Sequence, residues 1–285
     1  MGEALVAGTV ASGWCALADL VVIEPVKARC EALAAKFPTI SVGAPSGYEG
    51  EAGSGTRGDA GSPGDAGTRG SIRASELEGL EGAVLAVKPQ DAKGAAGWLS
   101  GSGVGRVLSI MAGVRISVLQ QYFDESVAVM RAMPNTPALV KAGMSALSAS
   151  SNASESDVAW AEHVLAAVGK VARVPETLLD AVTGLSGSGP AYIFMVVEAM
   201  TSAGICAGLP DELAKVLARE TLIGSARLLE QSGEEPEALR AAVTSPGGTT
   251  AEGIRVLEER DLRGAFADAI RAASERSKEL GGSAR

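Results

Sequence analysis

The sequence predicts two architectures in tandem: an α/β domain with a parallel sheet over residues 1–174, then an all-helical domain over residues 175–285. Short apolar, β-rich runs alternate with helical patterns as far as Val174. From Pro175 onward the periodicity is helical throughout. A chain of 285 residues with 46% hydrophobic content can fill two cores.

Residues 2–12 read as a helix, Gly13 as its turn, and residues 20–23 as a strand. Residues 83–87, 107–110 and 127–130 are also apolar runs, as expected of strands covered on both faces. Residues 144–147 and 170–174 read as edge strands. Val158, Ala161, Leu165 and Val168 share one helical face, with Ser154 and Asp157 as the cap signal.

Residues 44–75 break the order. Gly47, Gly50 and Gly53, then Gly55, Gly58, Gly61, Gly64, Gly67 and Gly70, recur every third position with one phase slip. The segment is too short and too poor in proline for a triple helix. It buries little against its ordering entropy, so a disordered surface insertion is expected.

In the helical half, residues 191–200 are almost wholly apolar, with Glu198 the one charge, and predict a helix buried on most sides. Leu213, Leu217, Thr221, Gly224 and Leu228 form one face of the next helix. So apolar a domain is expected to complete its core with a second copy of the chain; a self-contained bundle is the alternative.

A net charge of -9 argues against nucleic acid or an anionic membrane as the main partner. Cys15, Cys30 and Cys206 are far apart and lack CxxC spacing, which suits reduced thiols and not a zinc site. The one histidine, His163, falls inside a predicted helix, so a histidine triad or a histidine metal cluster is not expected. Residues 4–23 are apolar, but Glu3 stands where a basic n-region belongs, and Gly8, Gly13 and Asp19 interrupt the run. A cytoplasmic chain with no membrane partner is expected.

Two loops carry the functional signal. Ser245-Pro246-Gly247-Gly248-Thr249-Thr250 empties into a helix start, where free amide hydrogens, the helix dipole and hydroxyls converge on one spot suited to a small anion. Thr249 and Glu252 have capping-box spacing. An ordinary capped turn is the plainer reading. A second loop of the same kind, Ser186-Gly187-Ser188-Gly189-Pro190, also opens a helix and tilts the balance toward a site.

The run from Asp180 through Thr183-Gly184-Leu185-Ser186-Gly187-Ser188-Gly189-Pro190 to Tyr192, with the later Ser-Pro-Gly-Gly-Thr-Thr loop, resembles pyrroline-5-carboxylate reductase. So do Ala86-Val87-Lys88-Pro89-Gln90, the run Ser109 to Val114, and Arg131-Ala132-Met133-Pro134-Asn135-Thr136-Pro137. The resemblance implies a Rossmann-like nucleotide-binding domain, then a helical domain that pairs with a second subunit as a homodimer or higher homo-oligomer. It implies hydride transfer from NADPH or NADH to the C=N carbon of 1-pyrroline-5-carboxylate, giving L-proline, with no metal. By the same resemblance Ser245, Gly248 and Thr249 hold the substrate carboxylate, Thr250 stands near the ring nitrogen, and Glu176 lies near the substrate. Gly2, Ala86, Val87, Lys88 and Pro89 face the cofactor, and Ile110, Met111 and Ala112 flank its nicotinamide ribose. Glu24, ending the first strand, is placed to bind an adenosine ribose diol, which favours NADH; a solvated loop carboxylate is the alternative.

The chain departs from the family pattern at its start. Family members open with a strand and a G-x-G-x-x-G loop leading into Met-Gly-Glu-Ala-Leu, whereas this sequence begins at Met1-Gly2-Glu3-Ala4-Leu5. Gly2 then matches the last glycine of that loop, and the expectation is that about ten further residues lie upstream. Without them, two strands should be left with unpaired edges. Two rival functions remain. One is a β-hydroxyacid-type dehydrogenase using Lys215, whose spacing reads as an exposed helix position; the other is a cofactor-free dimeric protein.

Overall fold

The computed structural model describes residues 1–48 and 68–283. Strands β1 (Val21–Ile23), β2 (Ser41–Pro45) and β3 (Thr68–Ile72) make one parallel sheet in that order. Strands β4 (Ala83–Leu85), β5 (Arg106–Ser109), β6 (Ala128–Met133), β7 (Gly143–Ala149) and β8 (Gly169–Arg173) make a second, also in chain order. β1 and β4 each end a sheet, so each has an edge that no described strand pairs. Val21 and Ile23 nevertheless pack on the same core as Leu85, Val107, Met111 and Ile72, which joins the two sheets through side chains.

The expected all-parallel order fails at β7, which runs antiparallel to β6. The connection over residues 134–142 is too short for the crossover of a dozen or more residues that a parallel neighbour needs. β7 is also no edge strand: β8 pairs with its far side, in parallel, after a helical crossover. Part of the expected insertion over residues 44–75 is regular structure as well. Residues 44–48 and 68–75 are structured at its two ends, and Ile72 is buried there. β3 escaped notice because Thr-Arg-Gly-Ser-Ile carries a single apolar residue. The remainder, residues 49–67, lies outside the described residues.

Helix α1 (Gly2–Ser12) ends at Gly13 in a left-handed conformation, as the sequence suggests. Helices α2 (Lys27–Lys36), α3 (Ala92–Leu99) and α4 (Ile116–Leu119) link the strands. Helix α5 (Glu155–Ala166) starts in a full capping box, with the Ser154 hydroxyl accepting from the Asp157 amide and the Asp157 carboxylate accepting from the Ser154 amide. Its apolar face, with Trp160, Ala161, Val164 and Leu165, covers β6 and β7. After the short α6 (Leu179–Val182), a π-turn over Thr183–Gly187 leads to α7 (Gly189–Cys206). Then follow α8 (Asp211–Ser232), α9 (Pro236–Ala242), α10 (Thr249–Glu259) and α11 (Leu262–Ser283).

The chain groups into two compact units: Met1–Gly187 with Ala273–Arg285, and Ser188–Ala272. The helical stretch that starts at Pro175 therefore begins inside the first unit, and the last turns of α11 return to it. Within the second unit, α7 and α8 pack through small residues: Gly204 lies against Ala214, and only Ala214 and Ala218 are buried on α8. This corrects the expectation that the first of these helices is buried on most sides. α7 has no buried residue, and Phe194 and Met195 are 60% and 70% exposed. The Leu213, Leu217 and Leu228 face of α8 is open too. Among the described residues nothing covers these apolar faces. By length and composition Glu176–Cys206 could cross a membrane. Its opening turns, however, are tied to the sheet through Glu176 and Ser186, and α7 carries Glu198.

Candidate active site

In the first unit, the expected cofactor residues gather where β4 and β5 end. These strands are parallel neighbours, so Ala86, Val87 and Lys88 leave the sheet on the same side as Ile110, Met111 and Ala112. The Ile110 amide extends the ladder by donating to the Leu85 carbonyl at 3.0 Å. Helix α1 starts against the same place: a Cβ on Gly2 would sit 3.0 Å from the Ala86 Cβ, close enough that one of the two would have to give way slightly. The first-turn amides of an eleven-residue helix thus open beside exposed Ala86, two residues before exposed Lys88 in the chain, an arrangement suited to a diphosphate. Glu3, in that first turn, is drawn away by Lys36 at 2.6 Å, and the hydrogen bond from Lys36 holds its carboxyl below the usual glutamate range.

Two assignments on this side need refinement. The Met111 side chain is buried in the core, so only its backbone can face a ligand. Glu24 ends β1 as expected, but its carboxylate serves its own loop, accepting from the Val26 amide at 3.0 Å and facing Arg29 Nε at 3.3 Å.

The sequence reading gave no role to Arg131 or Asn135. Arg131 is a buried cation on β6, in register with Ser109 of β5, and its Nη1 lies 3.1 Å from Glu176 Oε1. The same oxygen accepts from the Ile116 amide at 2.8 Å. Asn135 Nδ2 donates to the Ser186 carbonyl and lies within hydrogen-bonding distance of its hydroxyl, while Oδ1 accepts from the Met144 amide. It therefore moors the π-turn that precedes α7 to the end of β6. A charge inside the otherwise apolar Ala128–Met133 run was the available signal, since a buried cation requires a partner.

In the second unit, the Ser-Pro-Gly-Gly-Thr-Thr loop does open a helix, though not as a capping box. Gly248 is the N-cap residue, no side chain caps the helix, and Thr249 is its first residue. The Gly248 amide donates back to the Ser245 carbonyl, closing a turn through Gly247, whose φ is 68°. The Ser245 hydroxyl presses on the place a Gly248 side chain would occupy. The first helical bond runs from the Glu252 amide to the Gly248 carbonyl, which leaves the Thr249, Thr250 and Ala251 amides at the mouth. Glu252, which would repel an anion there, is turned along the helix onto Arg255 at 2.5 Å, and this hydrogen bond holds its carboxyl below the usual range. Ser245, Thr249 and Thr250 are exposed. Lys215 is exposed as well, held between Asp211 and Glu212, whose hydrogen bonds raise its ammonium well above the usual lysine range.

Residues 176–280 match the family model described as pyrroline-5-carboxylate reductase dimerisation. The chain is 47% identical over 200 residues to the pyrroline-5-carboxylate reductase of Synechocystis, an alignment covering 70% of this chain and 74% of that protein. It is 44% identical over 200 residues to the enzyme of the same name from Methanosarcina acetivorans, with the same coverage. Its structure is similar to that of a pyrroline-5-carboxylate reductase from Coxiella burnetii, with a TM-score of 0.81, 30% identity, and coverage of 98% of this chain and 94% of that one. The Plasmodium falciparum pyrroline carboxylate reductase with NADP bound gives a TM-score of 0.76 at 25% identity, covering 99% and 94% of the two chains.

Proposed function

The chain belongs to the pyrroline-5-carboxylate reductase family, and from this we propose that it reduces 1-pyrroline-5-carboxylate to L-proline, the last step of proline biosynthesis. NADPH or NADH supplies the hydride when bound. The residues present suit such a dinucleotide: the α1 mouth at Ala86 and Lys88 fits the diphosphate, and the backbone of Ile110, Met111 and Ala112 fits the nicotinamide ribose. Glu24, just past the end of β1 with Arg29 beside it, is the residue this reading assigns to the adenosine ribose.

The observation that carries the reading is the open mouth of α10. The substrate is a small ring with one carboxylate. The Thr249, Thr250 and Ala251 amides, with the Ser245 and Thr249 hydroxyls, offer that carboxylate several donors, each hydrogen bond to a charged group contributing roughly 1.5–3 kcal/mol. Gly248 keeps the approach clear of side chain. The Thr250 hydroxyl serves the ring nitrogen. A protonated imine is already electrophilic, so these groups contribute positioning more than acid–base chemistry.

The chain works as a homodimer, with the open faces of α7 and α8 as the contact. A cytoplasmic setting suits its free thiols and a biosynthetic reaction. The test is direct: purified protein is mixed with reduced nicotinamide cofactor and 1-pyrroline-5-carboxylate, and cofactor absorbance is followed. Oxidation that depends on the imine is expected. Thr250→Ala should lower kcat by about 10-fold or more while the melting curve stays that of the unaltered protein. Equal turnover by that variant removes Thr250 from the mechanism, and no imine-dependent oxidation by the unaltered protein refutes the function.

A further inference from the structure

The connection from β5 to α4 carries the backbone assigned above to the nicotinamide side, and it is pinned along its length. The Met111 amide donates to Ser109 Oγ at 3.3 Å, and Ser109 is buried. Met111, Val114 and Ile116 are buried in the core beneath it. Gly113 has a φ of 76° and meets Gly281 of α11 backbone to backbone. The connection ends on the Ile116 amide, whose hydrogen bond goes to Glu176 Oε1. That oxygen is shared with Arg131, 4% exposed and in register with Ser109, where the connection begins. The two ends of the connection are thus joined by one ion pair.

We infer that Arg131 and Glu176 are positioning residues that hold the Ile110–Gly113 backbone in the shape that receives the reduced nicotinamide, and that Glu176 acts on the reaction through this backbone and not through the substrate. This deepens the functional reading above and rests on it. The chemistry requires both partners. A buried Arg131 cation is strongly destabilising unless an anion meets it. Glu176 supplies the anion, and its second commitment, to a backbone amide, transmits the fixed position of Arg131 to the start of α4. With Oε1 committed to Arg131 and the Ile116 amide, a contact of the carboxylate with the protonated ring nitrogen is the alternative that the test below separates.

The test compares Glu176→Ala, Glu176→Gln and the unaltered full-length protein by two measurements. One is the dissociation constant of the reduced cofactor, read from its fluorescence without imine. The other is hydrogen exchange over residues 109–118 without any ligand. Glu176→Ala should weaken cofactor binding by about 10-fold or more, the scale of one lost charged hydrogen bond, and speed exchange at Ile116. Glu176→Gln keeps an oxygen for the Ile116 amide and should recover most of both. KM for the imine should move less than KM for the cofactor. If Glu176→Ala fails to fold because Arg131 is stranded, the Arg131→Met, Glu176→Ala double variant removes both charges. It should fold and still show fast exchange and weak cofactor binding.

Unchanged cofactor binding with a raised imine KM would place Glu176 on the substrate and overturn the inference. Slow exchange in every variant would overturn it too. An unaltered protein that binds reduced cofactor but never oxidises it with the imine refutes the functional reading and, with it, this role, while leaving the exchange result to stand on the tie alone.

Discussion

Gly281 illustrates how a single residue near one end of the chain can govern a site residue far away in sequence. A Cβ there would lie 2.5 Å from the Gly113 carbonyl oxygen, in backbone that cannot swing aside as a long side chain could. Gly281→Val should therefore destabilise the fold by about 1–3 kcal/mol and weaken binding of the reduced cofactor. Denaturant midpoints and cofactor fluorescence measure the two effects, and a variant unchanged in both would show that the contact does not constrain the connection. At this scale the helix start after Gly248 was legible, because glycines, hydroxyls and a helical pattern sit within one short stretch. The Arg131 and Glu176 pair was not. Arg131 inside an apolar run signals that some anion must meet it, but Glu176 stands 45 residues on, and nothing in the pattern picks it out. The expected Thr249 and Glu252 box also failed locally: the helix is capped one residue earlier, at Gly248, so Ala251 and not Glu252 stands three residues on, and Glu252 pairs with Arg255 instead.

Among the elements, α5 offers the cleanest test of local chemistry. Burial pushes the Asp157 carboxyl up, but hydrogen bonds from the Ser154 hydroxyl and amide, with Arg106 nearby, outweigh it, and the net effect is a value below the ordinary 3.8. A carboxyl lowered in the folded state stabilises above the ordinary aspartate range, and that contribution is lost as pH falls through the lowered value. Ser154→Ala should cost about 1 kcal/mol near neutral pH. The gap to the unaltered protein should narrow in acid once the carboxyl is protonated, as denaturation at two pH values will show. A gap that widens in acid would contradict the sign. Most elements could be read from periodicity because their apolar residues repeat along one face, as Val158, Ala161 and Leu165 do. β3 could not, since its place comes from pairing with β2 and not from its own composition. The direction of β7 was set by a short connection, which the apolar pattern does not encode.

Across the whole molecule, the order of α/β and helical parts was legible, while the division of the chain was not. The return of Ala273–Arg285 to the first unit depends on long-range packing such as Ser277 Oγ donating to Asp180 Oδ1 at 2.6 Å. The uncovered apolar residues of α7 and α8 give the prediction that belongs here. Phe194→Glu with Met195→Glu should convert the homodimer to monomer in sedimentation, since each charge would have to be buried without a partner. A double variant that still sediments as a dimer would place the contact elsewhere. That greasy face also ties endurance to abundance. Association stabilises only the folded form, so by mass action the melting temperature should climb as the solution is made more concentrated and slide back on dilution, by an amount set by the partners' affinity.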